Sequence, residues 1–310
     1  MSAVTVNSIS KSYGSKTEIV QALHDISFDV QQGELFGIIG PDGAGKTSLF
    51  RILTTLLLAD KGTAAIDGFD VVKELKQIRN RVGYMPGKFS LYQDLTVEEN
   101  LEFFASIFNT SIEENYDLVK EIYVQIEPFK DRRAGKLSGG MKQKLALCCA
   151  LIHKPSVLFL DEPTTGVDAV SRKEFWEMLK NLKKQGITIL VSTPYMDEAA
   201  MCDRVALIQA GRIMSIDTPK QIISRFGKPL WAIRSAEMYR LLNNLKQYAD
   251  TESCNSFGEY HHLVLKTNST GTKEVLNYLD KHSHTNVDMK TVEPNIEDCF
   301  MQLMNNNYAR

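Results

Sequence analysis

Apolar and polar positions first alternate along this chain and then merge into solid runs. Val4, Val6 and Ile9, and later Ile26, Phe28 and Val30, recur with a period of two. That period predicts strands with one buried face. Leu35-Phe36-Gly37-Ile38-Ile39 is a continuous apolar run, as expected of a strand covered on both faces. Leu49, Ile52 and Leu53 then take a helical spacing. From about Thr96 to Ile152 the pattern is mostly helical. Thr96 with Glu99, and Ser111 with Glu114, have the spacing of capping boxes. Val157–Leu160 and Ile187–Val191 predict two more buried strands, and Val205–Ile208, Ala210-Gly211 and Ile213 a hairpin. Strands alternating with helices predict a parallel α/β sheet with a helical insertion.

The pattern changes near Phe226-Gly227-Lys228-Pro229. Residues 1–227 are therefore expected to form one domain and residues 228–310 a smaller α+β domain. The second reads as strand (Leu230–Arg234), helix (Glu237–Leu245), a weak strand, strand (His262–Lys266), helix (Lys273–Leu279) and strand (Val287–Val292). That order fits a ferredoxin-like β-α-β-β-α-β unit. A last helix carries Ile296, Cys299, Phe300, Leu303 and Met304 on one stripe, with Asn295 as its cap.

The chain's 310 residues suit two domains with ample core. Lys+Arg is 36 against Asp+Glu 38, so no basic excess recruits nucleic acid or an anionic membrane surface. No apolar run approaches the ~20 residues that span a bilayer, and the first residues do not read as a signal peptide. A membrane partner would have to supply the spanning helices. Five scattered cysteines, an odd number, favour a reducing cytosolic compartment.

Gly40-Pro41-Asp42-Gly43-Ala44-Gly45-Lys46-Thr47-Ser48 fits G-x-x-x-x-G-K-[ST], with a strand before it and a helix after. Glycines let backbone N–H groups converge on phosphate oxygens, and the helix N-terminus adds positive potential. Lys46 offers a cation to β- and γ-phosphates, and Thr47 a hydroxyl to Mg²⁺. Asp161 and Glu162 close the run Val157–Leu160. Alone, such a pair is an ordinary solvated loop. Behind a phosphate loop, Asp161 is placed for Mg²⁺ and Glu162 for an attacking water. In Leu137-Ser138-Gly139-Gly140-Met141, Ser138 caps a helix and two glycines bare its amides, which makes a second phosphate-binding helix end. A single chain has no use for a second such end facing its own nucleotide. Two chains head to tail do.

With these motifs in this order, and with Gly166-Val167-Asp168 after them, residues 4–226 resemble the nucleotide-binding subunits of ABC transporters. The resemblance implies a P-loop NTPase fold: a parallel sheet core, an antiparallel β subdomain and a helical subdomain. It implies ATP with Mg²⁺, and a dimer in which each ATP lies between one chain's P-loop and the other's Ser138-Gly139-Gly140. Tyr13, in Lys11-Ser12-Tyr13-Gly14, matches the aromatic residue that stacks on adenine. Asp168 falls in the family's loop after the acidic pair. Asp42, Ala134-Gly135-Lys136 and Asp197-Glu198-Ala199 look like the ABC-2 type drug- and antibiotic-export branch, and Glu297-Asp298-Cys299-Phe300 resembles its terminal motif. This implies a separate ABC-2 type permease, contacted by Lys88–Leu95, and residence at the cytoplasmic face of the membrane. The C-terminal domain would then stabilise the dimer or tune its closure.

Two positions depart from the pattern. Gly87 follows Gly83-Tyr84-Met85-Pro86 where the family usually has Gln, and Pro194 follows Ser192-Thr193 where it usually has His. Proline has neither a side-chain donor nor a backbone N–H. Ala169 also replaces the usual Pro after Asp168, a change expected to be tolerated. The expectation is a site that binds ATP well and turns it over poorly. A homodimer would have two such sites. In a heterodimer this chain's Ser138-Gly139-Gly140 would complete a competent partner's site. Both stay open, as does a regulatory subunit that binds ATP without useful catalysis. Lys46 and Asp161 lie too close in sequence for the coiled coil of a chromosome-maintenance ATPase, and the single cassette argues against a translation-factor ATPase. The six histidines lack metal spacing. His261 and His262 should face opposite ways on a strand, and Cys148-Cys149 belong in the core.

Overall fold

A computed structural model describes residues 1–15, 18–87, 91–266 and 271–308. Two long antiparallel strands, β1 (Ser2–Ser15) and β2 (Glu18–Gln31), lead into β3 (Leu35–Ile39) and α1 (Lys46–Leu53). Then come β4 (Lys61–Ile66), β5 (Phe69–Asp70), α2 (Leu75–Arg79) and β6 (Val82–Met85). The helical insertion holds α3 (Val97–Ile107), α4 (Tyr116–Tyr123) and α5 (Gly139–Leu151). After it run β7 (Val157–Asp161), α6 (Ala169–Lys184), β8 (Thr188–Thr193), β9 (Arg204–Gln209) and β10 (Arg212–Asp217).

Two sheets result. The antiparallel one has the order β2-β1-β4-β5 and the other β10-β9-β3-β8-β7-β6. In the second, β9, β3, β8, β7 and β6 pair in parallel, and only β10 is antiparallel. The solid apolar runs are its central strands: every residue of β3, β7 and β8 is buried. Phe28 of β2 stacks on Phe36 of β3 at 5.4 Å, and Phe50 of α1 meets Phe159 of β7 edge-on at 5.4 Å. One core thus joins both sheets through α1. Burying each such ring contributes about 1.5–3 kcal/mol, so the loop between β3 and α1 hangs on a rigid frame.

The Thr96 capping box forms, with reciprocal bonds between Thr96 and Glu99. The one at Ser111 does not start a helix. The Glu114 amide donates to Ser111 at 3.3 Å, but the Glu114 carboxylate accepts from Thr110 and α4 begins later, at Tyr116.

The chain divides into compact units Met1–Pro219 and Lys220–Arg310, eight residues before the composition break at 227. The reason is α7 (Pro219–Ser224), whose Ile222 carbonyl accepts from the Cys299 thiol, while the Gln302 amide donates to the Phe226 carbonyl. This segment therefore belongs with the C-terminal helix. The second unit continues with β11 (Leu230–Arg234), α8 (Met238–Gln247), β12 (Thr251–Phe257), β13 (Tyr260–Leu265), α9 (Thr272–Lys281), β14 (Asp288–Val292) and α10 (Ile296–Tyr308). Its antiparallel sheet has the order β12-β13-β11-β14. His261 turns to Ser256 and the Met238 carbonyl, and His262 to Asp298, on opposite faces of β13. All five cysteines are free and buried.

Candidate active site

The phosphate loop is shaped by close backbone approaches. A Cβ on Gly40 would lie 2.1 Å from the Ile208 carbonyl oxygen of β9. Gly45, with φ +103°, opens α1, and a Cβ there would lie 2.5 Å from the Ala22 oxygen. Only glycine suits both constraints. Pro41, Asp42, Gly43 and Ala44 complete the turn, and Ala44 is tied down by the Gly211 amide at 3.0 Å. Gly43, Ala44, Gly45, Lys46, Thr47 and Ser48 line a cavity of about 160 Å³, together with Ala22 and Glu162. Lys46 is only 3% exposed. Its ammonium donates to the Gly40 and Pro41 carbonyls at 2.8 and 3.0 Å and lies 3.1 Å from Glu162 Oε1. Tyr13 reaches the same loop, its hydroxyl 3.0 Å from Ser48 Oγ, and its ring is 41% exposed.

Asp161 ends β7 in the core at 2% exposure and accepts from Ser192 Oγ at 2.6 Å. Burial, with the Asp161 charge close by, pushes the Tyr84 phenol up to about 12. Glu162 has φ +51°, an unfavourable conformation for a residue with a Cβ. Its amide donates to the Ser192 carbonyl at 3.0 Å and lies 3.1 Å from Ser192 Oγ, so the end of β8 holds the strained residue. Thr47 and Asp161 supply the hard oxygen donors that Mg²⁺ prefers. Among the described residues no group of three or more His, Cys, Asp or Glu is gathered so that it could hold a metal by itself.

Ser138 caps α5 by accepting from the Met141 amide at 3.3 Å, with Ser138 and Gly139 exposed. Gly140 lies against Ser171: a Cβ there would be 3.0 Å from Ser171 Oγ. Asp168 caps α6, accepting from the Val170 and Ser171 amides and from the Ser171 hydroxyl. The Ser171 bonds chiefly hold its carboxyl below the usual range. Asp168 and the exposed helix end are thus joined within one chain through Ser171.

The two departures have structural counterparts. A Cβ on Gly87 would lie 2.9 Å from the Asp161 carbonyl oxygen, so a side chain there requires that backbone to shift. Beside it, Gly87, Leu91, Gly139, Gln143, Glu162 and Val167 are among the lining of a cavity of about 270 Å³. Of the stretch Lys88–Leu95, Lys88, Phe89 and Ser90 lie outside the described residues. Past Pro194 stands a group that sequence reasoning missed. Glu198, 2% exposed, accepts from Thr193 Oγ1 and from Arg172. Asp197-Glu198-Ala199 stood out only as a branch likeness, and nothing near Arg172 in sequence pairs it with Glu198, 26 positions away.

Residues 23–165 match the family described as ABC transporter. A *Streptomyces coeruleorubidus* protein named daunorubicin resistance ATP-binding protein DrrA2 is 33% identical over 317 aligned positions, covering 97% of this chain and 94% of that relative. This chain belongs to the ABC transporter ATP-binding family. The *Escherichia coli* K12 protein named probable multidrug ABC transporter ATP-binding protein YbhF is 35% identical over 305 residues. There the match covers 97% of this chain and 52% of the relative, so the chain spans about half of that relative's length. Among solved structures, a dimeric ATP-binding cassette in a post-hydrolysis state with ADP and phosphate aligns with TM-score 0.63 and 27% identity, over 69% of this chain and 98% of that one. An ATP-binding subunit of an ABC transporter aligns with TM-score 0.65 and 27% identity, over 73% and 93%. No helix among the described residues is long and apolar enough to cross a membrane.

Proposed function

We propose that this chain is the ATP-binding and ATP-hydrolysing subunit of an ABC exporter, driving a drug-like or lipophilic substrate through a separate ABC-2 type permease at the cytoplasmic face of the membrane. The observation that carries this reading is the pairing of two phosphate-binding ends in one chain: the loop cavity with Lys46 and Glu162, and the exposed Ser138 helix end. Lys46 and the amides of the loop bind phosphates. Tyr13 stacks on adenine. Thr47 and Asp161 would hold Mg²⁺, which would supply charge stabilisation to the phosphates. Glu162, released from Lys46 by the arriving phosphate, orients water. Ser138, Gly139 and Gly140 close on the opposing chain's ATP, with Asp168 alongside. The permease is contacted through Lys88–Leu95, of which residues 91–95 lie within the described part of the chain.

Mg-ATP turnover by the purified chain tests this reading. Replacing Glu162 with Gln should lower the rate about 10²–10⁴-fold and leave binding intact. Turnover that survives the substitution would refute the assignment. A second reading is that the chain binds ATP without useful catalysis and completes the site of a competent second cassette. It is favoured by Pro194, which brings no donor, and by Gly87, where a Cβ would come 2.9 Å from the Asp161 carbonyl oxygen. Crosslinking in the cell separates the two assemblies, because identical pairs alone would exclude the heterodimer.

A further inference from the structure

We propose that Arg172 and Glu198 are positioning residues for ATP turnover: their ion pair locks the turn after β8, so that Ser192 and Thr193 hold Gly40, Asp161 and Glu162 in register. The inference rests on the hydrolytic reading above.

It starts from a buried carboxylate. Glutamate at 2% exposure is rare unless it is paired, and the partners of Glu198 are specific. Arg172 donates from Nε at 3.2 Å and has Nη2 at 3.1 Å from the same oxygen, Oε1. Oε2 accepts from Thr193 Oγ1 at 2.5 Å. Thr193 Oγ1 in turn accepts from the Tyr195 amide at 3.1 Å, which curls the chain around Pro194. The guanidinium is fixed from two more sides, over the Tyr195 ring at 4.1 Å and 3.3 Å from Asp197. Arg172 is therefore held in one orientation by the turn it clamps.

What the clamp holds is the site itself. The Thr193 carbonyl accepts from the Gly40 amide at 3.2 Å, at the first residue of the phosphate loop. Ser192 bonds Asp161 through its hydroxyl and the Glu162 amide through its carbonyl. With Pro194 offering no donor, the end of β8 acts through these bonds and not through a side chain aimed at phosphate. The other end of the clamp sits on the first turn of α6. There Ser171 bonds Asp168 at 2.8 Å and packs against Gly140. The exposed Ser138 helix end, which serves the opposing chain, is thus linked by packing at Gly140–Ser171, by the chain from Ser171 to Arg172 and by the ion pair to this chain's own Gly40 and Glu162.

The test is made on the full chain with Arg172→Met and Arg172→Lys. Amide-resolved hydrogen exchange reads the register, and steady-state Mg-ATP kinetics read the turnover. In Arg172→Met the Gly40 and Glu162 amides should exchange about 10-fold faster while the interiors of β3 and β7 stay protected. The kcat should fall about 10- to 100-fold with KM within about threefold, and Arg172→Lys should lie between. If Arg172→Met does not fold, Thr193→Val carries the same comparison, because it removes the hydroxyl that donates to Glu198 and accepts from the Tyr195 amide and leaves the Thr193 carbonyl in place. A pair that merely staples the fold would speed exchange at Gly40, Glu162 and the strand interiors alike. That result, or unchanged exchange at the two amides, overturns the proposal. So does a change confined to KM. A wild-type chain without turnover refutes the hydrolytic reading instead, and the exchange data alone then decide whether the clamp sets the register.

Discussion

Restoring the two missing side chains should not give two equal gains. Pro194 is half-buried, and none of its own atoms is needed as a donor, so histidine can enter there with only local adjustment. A positioned donor at a developing charge is worth about 10²–10³ in rate, so Pro194→His should raise kcat by about 10²-fold, or about 2.7 kcal/mol of barrier. Gly87→Gln meets a different situation. Its Cβ would stand 2.9 Å from the Asp161 carbonyl oxygen and 3.8 Å from Glu162 Cβ. A carbonyl in that position is backbone and cannot swing aside. The peptide that must yield joins Asp161 to the strained Glu162, so the overpacking costs about 1–3 kcal/mol. Alone, Gly87→Gln should lower Tm and leave kcat unchanged or reduced. Phosphate-release kinetics and thermal melts on the two single variants and the double variant decide the matter. If Gly87→Gln gains as much rate as Pro194→His with no loss of Tm, the steric reasoning fails. If neither changes the rate, the departures are not what limits turnover.

Three further outcomes follow from the same contacts. Lys46→Ala removes the cation and strands Glu162, so ATP affinity should fall about 10- to 100-fold, the worth of a hydrogen bond to a charged group, as read by fluorescent-nucleotide titration. Burial lowers His153 from 6.5 to about 4 as its ring stacks on Phe108 and Nε2 bonds the Val82 carbonyl. The unfolded chain takes up this proton first, so the stability is complete above pH 6.5 and is lost as pH falls toward 4, by up to about 3 kcal/mol; His153→Phe should flatten the urea-midpoint profile across that window. Asp298→Ala should destabilise the second unit by about 2 kcal/mol in urea, because one carboxylate both accepts from the Asn295 amide at 2.9 Å and meets His262 Nδ1 at 2.7 Å.

What was legible in the sequence was what is local. The phosphate loop, the acidic end of β7 and the Ser138 cap each occupy a few consecutive residues, and period and spacing are enough to find them. The second unit's element order was readable for the same reason, since each strand and helix carries its own periodicity. Ser111 shows the limit of a local signal: the capping pattern is present, yet Glu114 turns to Thr110 and the helix waits for Tyr116. The compact units part at Pro219 and not at 227 because the partners of the α7 segment, Cys299 and Gln302, lie nearly 80 positions away. Gly87 and Arg172 are the more instructive cases. In sequence Gly87 is a missing glutamine; in the fold a Cβ there would come 2.9 Å from the Asp161 carbonyl oxygen, so restoring a side chain also means displacing that backbone. Arg172 looks like any charge on an amphipathic helix until Glu198 is buried beneath it. The first depends on β6 lying beside β7, which brings Gly87 to Asp161, and the second on the end of β8, which the pairing of β7 with β8 sets beside Asp161. A site assembled at the ends of adjacent parallel strands therefore shows its motifs in sequence but hides the contacts between strand ends, such as Ser192 to Asp161 and Thr193 to Gly40.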